Sequence, residues 1–213
     1  GYQVAKTLRE AVADTARAQG QATAREIGGL VARERERLAA FVIEKKAEIE
    51  QVLRTPDDGE VIGALQTSLK RMFPGAFAFS VTGADGDPLF EDFEGLVGPV
   101  CEAAMRDYAH ILAQGFAPAD LPPIHPVPGA YHFDLITPWA LEDGKSGLFF
   151  VSMSPDRIAE LIAAAEVASG NRILLVNRTD PTLIEITAEG AGDRLGSAIR
   201  LTDEMPQEGQ FAM

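Results

Sequence analysis

From Tyr2 to Arg54 the chain runs without a proline and keeps its apolar residues at helical spacing, which predicts one long helix. Val4, Leu8, Ala11, Thr15, Ala18 and Ala22 step by three and four and form a weakly apolar stripe. A stronger stripe follows in Ile27, Val31, Leu38, Val42, Ile49 and Val52, with Arg33 to Arg37 and Glu44 to Glu48 supplying charge to the wet faces. Gly20, Gly28 and Gly29 fall where the stripes meet. Each costs about 1 kcal/mol against alanine inside a helix, so a bend or break is expected there. At about 1.5 Å per residue the segment would span roughly 75 Å, twice the width of a small domain. Part of it should project, and the same helix of a second copy is the simplest cover.

Beyond this helix the pattern alternates between helical and strand periods. Thr55-Pro56-Asp57-Asp58 reads as a helix start with Thr55 as the cap, followed by the stripe Val61, Leu65, Leu69 and Met72 up to Pro74-Gly75. Ala76 to Thr82 alternates as a strand with Phe77, Phe79 and Val81 on one face. The turn Gly83 to Asp87 then leads to a returning strand at Pro88-Leu89-Phe90-Glu91. Val97 to Leu112 has a helical stripe closed by Gly115, and five prolines between Phe116 and Gly129 mark a loop or lid. Tyr131 to Thr137 and Gly147 to Met153 read as paired strands joined by Glu142-Asp143-Gly144-Lys145. Ser154-Pro155-Asp156 opens another helix ending at Ser169-Gly170. Arg172 to Val176 and Leu183 to Thr187 form a last hairpin, and the tail from Glu189 is loop-like. Hairpins alternating with helices predict an α+β fold with a mainly antiparallel sheet covered by helices. The division expected is a stalk or dimerisation helix at 1–55 and one domain at 56–213.

Charge sharpens this division. Residues 1–55 hold 10 Lys/Arg against 8 Asp/Glu, leaving 9 basic and 24 acidic residues in the rest. A globular part this acidic is repelled by phosphate backbones, which excludes a nucleic-acid partner. No apolar run of about 18 residues marks a membrane span, and no signal-peptide pattern opens the chain. The chain begins inside a helical pattern and stops at Phe211-Ala212-Met213 without a cap, which reads as a piece of a longer protein. Cys101 is the single cysteine and lies on the apolar face of its helix, where it reads as a small buried hydrophobe.

The run Phe79-Ser80-Val81-Thr82-Gly83-Ala84-Asp85-Gly86-Asp87-Pro88-Leu89 resembles the strand, acidic-glycine turn, strand opening of Cache and PAS-like sensor domains. Gly147 to Ser154, the helix from Arg157 to Val167 and Gly170 to Val176 are similar to the middle of such domains. The GAF fold is the alternative, because it also wraps helices round an antiparallel sheet. The resemblance covers about residues 1–190 and implies a long helix emerging from a membrane span and a sheet whose concave face holds a small ligand. The sequence also resembles sensory regions attached to GGDEF-type diguanylate cyclases. No GGDEF, EAL, kinase or methyl-accepting segment is present, so an output module would lie outside this chain.

Candidate chemistry centres on three histidines, His110, His125 and His132, with Asp134 two residues beyond the last. That spacing puts His132 and Asp134 on one strand face, where they could grip a polar ligand or a metal together with His125 from the loop. No metal or cofactor is assigned. Gly144-Lys145-Ser146 is similar to the end of a phosphate loop, but Trp139 stands where the first glycine belongs and a strand follows. No H-E-x-x-H, G-x-S-x-G or G-x-G-x-x-G motif occurs, and an enzyme is not the expectation.

A ligand pocket needs a few polar groups among apolar walls. Tyr131, His132 and Asp134 on the central strand are the first candidates, then Arg106 and Tyr108 on the facing helix, then Trp139 and Arg172. Tyr131 and His132 point to opposite faces of a regular strand, so they cannot both line one pocket. Arg106 would suit a carboxylate ligand in so acidic a domain. These readings converge on a small-molecule sensor that signals through a homodimeric helix to a covalently linked output domain, on the extracytoplasmic side of an inner membrane or in the cytoplasm. A ligand-free dimerisation or protein-interaction module is the alternative.

Overall fold

The computed structural model describes residues 2–90, 98–115, 124–127, 130–176 and 184–191. The first helix, α1, runs over Tyr2–Glu44, and a short α2 follows over Lys46–Arg54. Of the bend or break expected at the glycines, a break is absent: α1 runs through Gly20, Gly28 and Gly29 without interruption. Ile27, Leu30 and Val31 are buried beside these glycines, and burial of such side chains outweighs the propensity cost of the glycines. The interruption falls at Lys45, where neither glycine nor proline marks it. The stronger predicted stripe is the one that is buried: Ile27, Val31, Leu38, Val42, Ile49 and Val52 are all at most 5% exposed. The weaker stripe remains open, with Val4 and Leu8 each more than 60% exposed, and Val12, outside the predicted stripe, extends this open apolar surface.

The chain divides into two compact units, 31–154 and a second made of 1–30 with 155–213. In the first, α2 packs on α3 (Gly59–Met72), and α3 on strand β1 (Ala76–Val81). The cap of α3 is Asp58, whose carboxylate accepts from the Glu60 and Val61 amides; Thr55 instead ends α2. Helix α4 covers Pro99–Ala113, with proline at its first position, where no amide is needed. Strands β2 (Ile124–Val127), β3 (Ala130–Ala140) and β4 (Ser146–Met153) complete an antiparallel sheet in the order β1-β4-β3-β2. Residues 124–127 are therefore a strand where a loop was expected. The rest of the proline-rich stretch lies outside the described residues. Among these, the expected return is a single bridge of Pro88 to Thr82 with the Leu89 amide donating to the Val81 carbonyl at 2.9 Å, and the long pairing of β1 is with β4.

Both faces of this sheet are covered. On one, Phe149 of β4 stacks on Phe79 with centroids 5.8 Å apart and meets Phe41 of α1 edge-on at 5.9 Å, while Phe41 meets Phe73 at the end of α3. Arg37 adds a hydrogen bond of 2.6 Å to the Met72 carbonyl and lies 5.0 Å over the Phe73 ring. It places a cation at the negative end of α3. On the other face α4 packs on β3 and β4, with Met105, Ala109, Tyr108 and Leu112 against Ile136, Leu148 and Phe150. Phe77 does not share a face with Phe79 and Val81. The pairing slips between Ala76 and Ala78, and this bulge sends the Phe77 ring toward His132, 5.4 Å away.

The second unit joins α5 (Asp156–Ser169) to a small antiparallel sheet of β5 (Leu175–Val176), β6 (Ile184–Thr187) and β7 (Gly190–Ala191). Gly170 ends α5 in the left-handed region, and the Ile173 amide donates to Glu166 Oε1 at 2.8 Å. Asn171 Nδ2 donates to Gln19 Oε1 on α1 at 2.7 Å. The turn at Asn177 to Pro181, the tail beyond Ala191 and Glu91 to Val97 lie outside the described residues.

One close approach makes a test of the sheet. Gly147 faces Trp139 across β3 and β4, and a Cβ on it would overlap the Thr82 carbonyl and press on the Trp139 ring. Gly147→Ala should cost about 1–3 kcal/mol in urea unfolding. Gly63→Ala, where α3 leaves open space around the added methyl, should gain about 0.5–1 kcal/mol. Equal effects at the two sites would show that the Gly147 contact does not constrain the sheet.

Candidate functional site

The polar residues of the α4-covered face converge at one end of the α4 interface. Strand alternation puts His132, Asp134 and Ile136 on that face of β3, and register places Ser152 of β4 opposite Asp134. Asp134 Oδ1 accepts from Ser152 Oγ at 3.2 Å and lies 3.3 Å from His132 Nε2. The same Nε2 lies 3.3 Å from Sγ of Cys101, delivered from the first turns of α4. All four side chains are at most 2% exposed. Cys101 is therefore a polar member of this cluster as well as a buried residue.

The geometry restricts the chemistry. In a nucleophile-base-acid relay the two partners of a histidine sit on different ring nitrogens. Here sulfur and carboxylate both approach Nε2, and the ligating atoms of Cys101, His132 and Asp134 lie within 4.8 Å of one another. A single Nε2 proton can serve both only by being shared, whereas a cation among the three would take a lone pair from each. This is the donor set that could hold a metal.

The other predicted residues are distributed differently. The Tyr108 hydroxyl donates to the Ile136 carbonyl at 3.2 Å and borders the same interface. Trp139 lies on the opposite face, buried, with Nε1 donating to the Thr82 and Leu148 carbonyls at 3.2 Å each, so its polar group is engaged in joining β1 to β4. Arg106 is half exposed, with Nε 2.6 Å from Asp87 Oδ1, and this partner raises its pKa. It clips α4 to the turn after β1. Arg172 belongs to the other unit, where Nη2 lies 3.7 Å from Glu189. Tyr131 is on β3 opposite Pro126, and His125 is on β2 opposite His132 in place of the expected loop. The side chains of both lie outside the described residues.

Two members were missed. Ser152 had a signal, a hydroxyl in the otherwise apolar run Phe149-Phe150-Val151. Cys101 had none, because 31 residues separate it from His132 and only packing of α4 joins them. A separate open groove of about 510 Å³ is lined by Glu44, Lys46, Ala47, Glu50, Leu141, Glu142 and Asp143. Its Lys46 already lies 3.7 Å from Glu142.

The sequence matches no known protein-family model and no curated protein. Among solved structures it is similar to an extracellular ligand-binding receptor from Desulfohalobium retbaense DSM5692, at 18% identity and a TM-score of 0.48. The alignment covers 83% of this chain and 32% of that one, so the chain spans about a third of that receptor's length.

Tyr108 gives a pH test of the α4 interface. Burial raises its pKa, with Arg35 pulling weakly the other way. A tyrosine raised in the folded state contributes stability that is whole below its unfolded value of about 10 and is lost as pH rises through the folded value. Tyr108→Phe should therefore flatten the alkaline fall of stability above about pH 10, read from urea midpoints at stepped pH. It should also cost about 0.5–1.5 kcal/mol near neutrality through the lost hydrogen bond. Parallel alkaline slopes for the two proteins would contradict the burial of this hydroxyl.

Proposed function

We propose that this chain is the ligand-sensing input domain of a bacterial signal-transduction receptor. The observation that carries the reading is the buried Cys101, His132, Asp134 and Ser152 cluster between α4 and the sheet. Four polar side chains buried in one interface must each be paired to offset their lost hydration, a constraint that a module which only held helices together would avoid with an apolar filling. A ligand engaging this cluster would shift α4 against β3 and β4 and bias the domain between two states. The finer assignment follows the pattern resemblance: a Cache or PAS-like domain, outside the cytoplasmic membrane, linked covalently to an output module such as a diguanylate cyclase. Residues 1–55 act in this reading as stalk and dimerisation helix, 56–213 as the sensor, and no catalysis is assigned.

The open stripe of Val4, Leu8 and Val12 on α1 supports the homodimer. It also favours a second reading, a dimerisation module without a ligand. Native mass spectrometry of the 213-residue chain separates the two. The expected result is a dimer with a discrete low-mass adduct, which Asp134→Ala and His132→Ala lose while remaining dimeric. An adduct retained by both variants would remove this pocket, and an adduct-free dimer would favour the ligand-free module. Leu8→Glu with Val12→Glu should give a monomer of unchanged helicity; a persistent dimer would move the interface elsewhere.

A further inference from the structure

We infer that Cys101 Sγ, His132 Nε2 and Asp134 Oδ1 are three ligands of a site for a divalent transition metal of the zinc class. Two of their separations are close to those around one ion. Tetrahedral coordination at usual bond lengths sets sulfur and nitrogen about 3.6 Å apart and nitrogen and oxygen about 3.3 Å apart. The observed values for these two pairs are both 3.3 Å, with all three atoms within 4.8 Å of one another, so a few tenths of an ångström brings the sulfur–nitrogen pair to the tetrahedral value.

Donor type selects the class of ion. Thiolate and imidazole favour zinc, cobalt or ferrous iron over calcium and magnesium, which take oxygen ligands. Charge agrees: a thiolate and a carboxylate buried together are costly, and a dication balances both. The support around the ligands also fits. Ser152 Oγ holds the ligating Asp134 oxygen, and Phe77 packs edge-on at the imidazole and restricts its rotation. Three protein ligands leave a fourth position open, as in sites where a metal also binds an exchangeable molecule.

For its signalling consequence the site rests on the sensor reading, in which the ion is either the ligand or the platform that takes it. The site itself is testable without that reading. The 213-residue chain, stripped with chelator, is titrated with Co²⁺ as the probe. Expected are saturation at one ion per chain, a thiolate-to-cobalt charge-transfer band, strong visible bands of four-coordinate cobalt, and displacement by Zn²⁺. Cys101→Ser, nearly isosteric, should abolish the charge-transfer band with its circular dichroism unchanged.

Should Cys101→Ser fold poorly, Ser152→Ala provides the second test. It should keep the one-to-one stoichiometry and lose about 10–100-fold in affinity, as expected of a residue that positions a ligand. No saturable cobalt binding by the wild-type chain, or spectra and affinities unchanged in both variants, would overturn the site. Binding at this site with no effect of metal on dimer or adduct would support the site and remove its sensing role. Absent cobalt binding with a retained organic adduct would overturn the metal and leave the sensor reading standing.

Discussion

The pairing of β3 with β4 is the constraint on which the first unit depends. Eight consecutive pairs join the strands, from Phe133 with Met153 to Ala140 with Ser146. Every residue from His132 to Thr137 and from Gly147 to Met153 is buried, so neither face of this ribbon can meet water. A two-faced buried sheet must be covered on both sides. Here α1 and α3 supply one cover and α4 the other. Covering fixes register as well, because a one-residue slip would exchange the two faces and set Phe149 among the groups that pack on α4.

The two faces are chemically unequal. The one under α1 and α3 is an aromatic packing of Phe41, Phe73, Phe79 and Phe149, whose side chains offer no hydrogen-bonding groups. The other combines an apolar patch around Phe150 with a polar end at His132, Asp134 and Ser152. Both faces are packed, and the polar cluster is confined to one end of one of them. The same ladder that buries the fold's aromatic residues brings Asp134 opposite Ser152, so the site is held by rigid strands and by the first turns of one helix.

Helix α1 is treated differently along its length. Toward its C-terminal end, Leu38, Phe41 and Val42 are buried and Arg37 is fixed to the end of α3. Toward its N-terminal end, the helix carries the local bonds of Lys6 with Glu10 and of Arg17 with Asp14, and an apolar stripe in the open. Surface pairs of this type stabilise a helix only slightly. An exposed apolar stripe on a long helix is a surface suited to association.

Local chemistry determined much of this in the sequence itself. Helical spacing separated the buried stripe Ile27 to Val52 from the open one, alternation located β3 and β4, Gly115 and Gly170 ended their helices, and the two-residue step placed His132 and Asp134 on one face. These features depend on neighbours within a few residues, so they are legible in order along the chain. Tertiary structure decided the rest. The glycines of α1 stayed helical because packing energy exceeded propensity. β1 found its long pairing with β4, a bulge turned Phe77 away from Phe79, and 124–127 became an edge strand against β3. Cys101 reached His132 by the same route, since which helix lies over which end of a sheet is set by the fit of complete surfaces, and spacing along the chain carries no record of it.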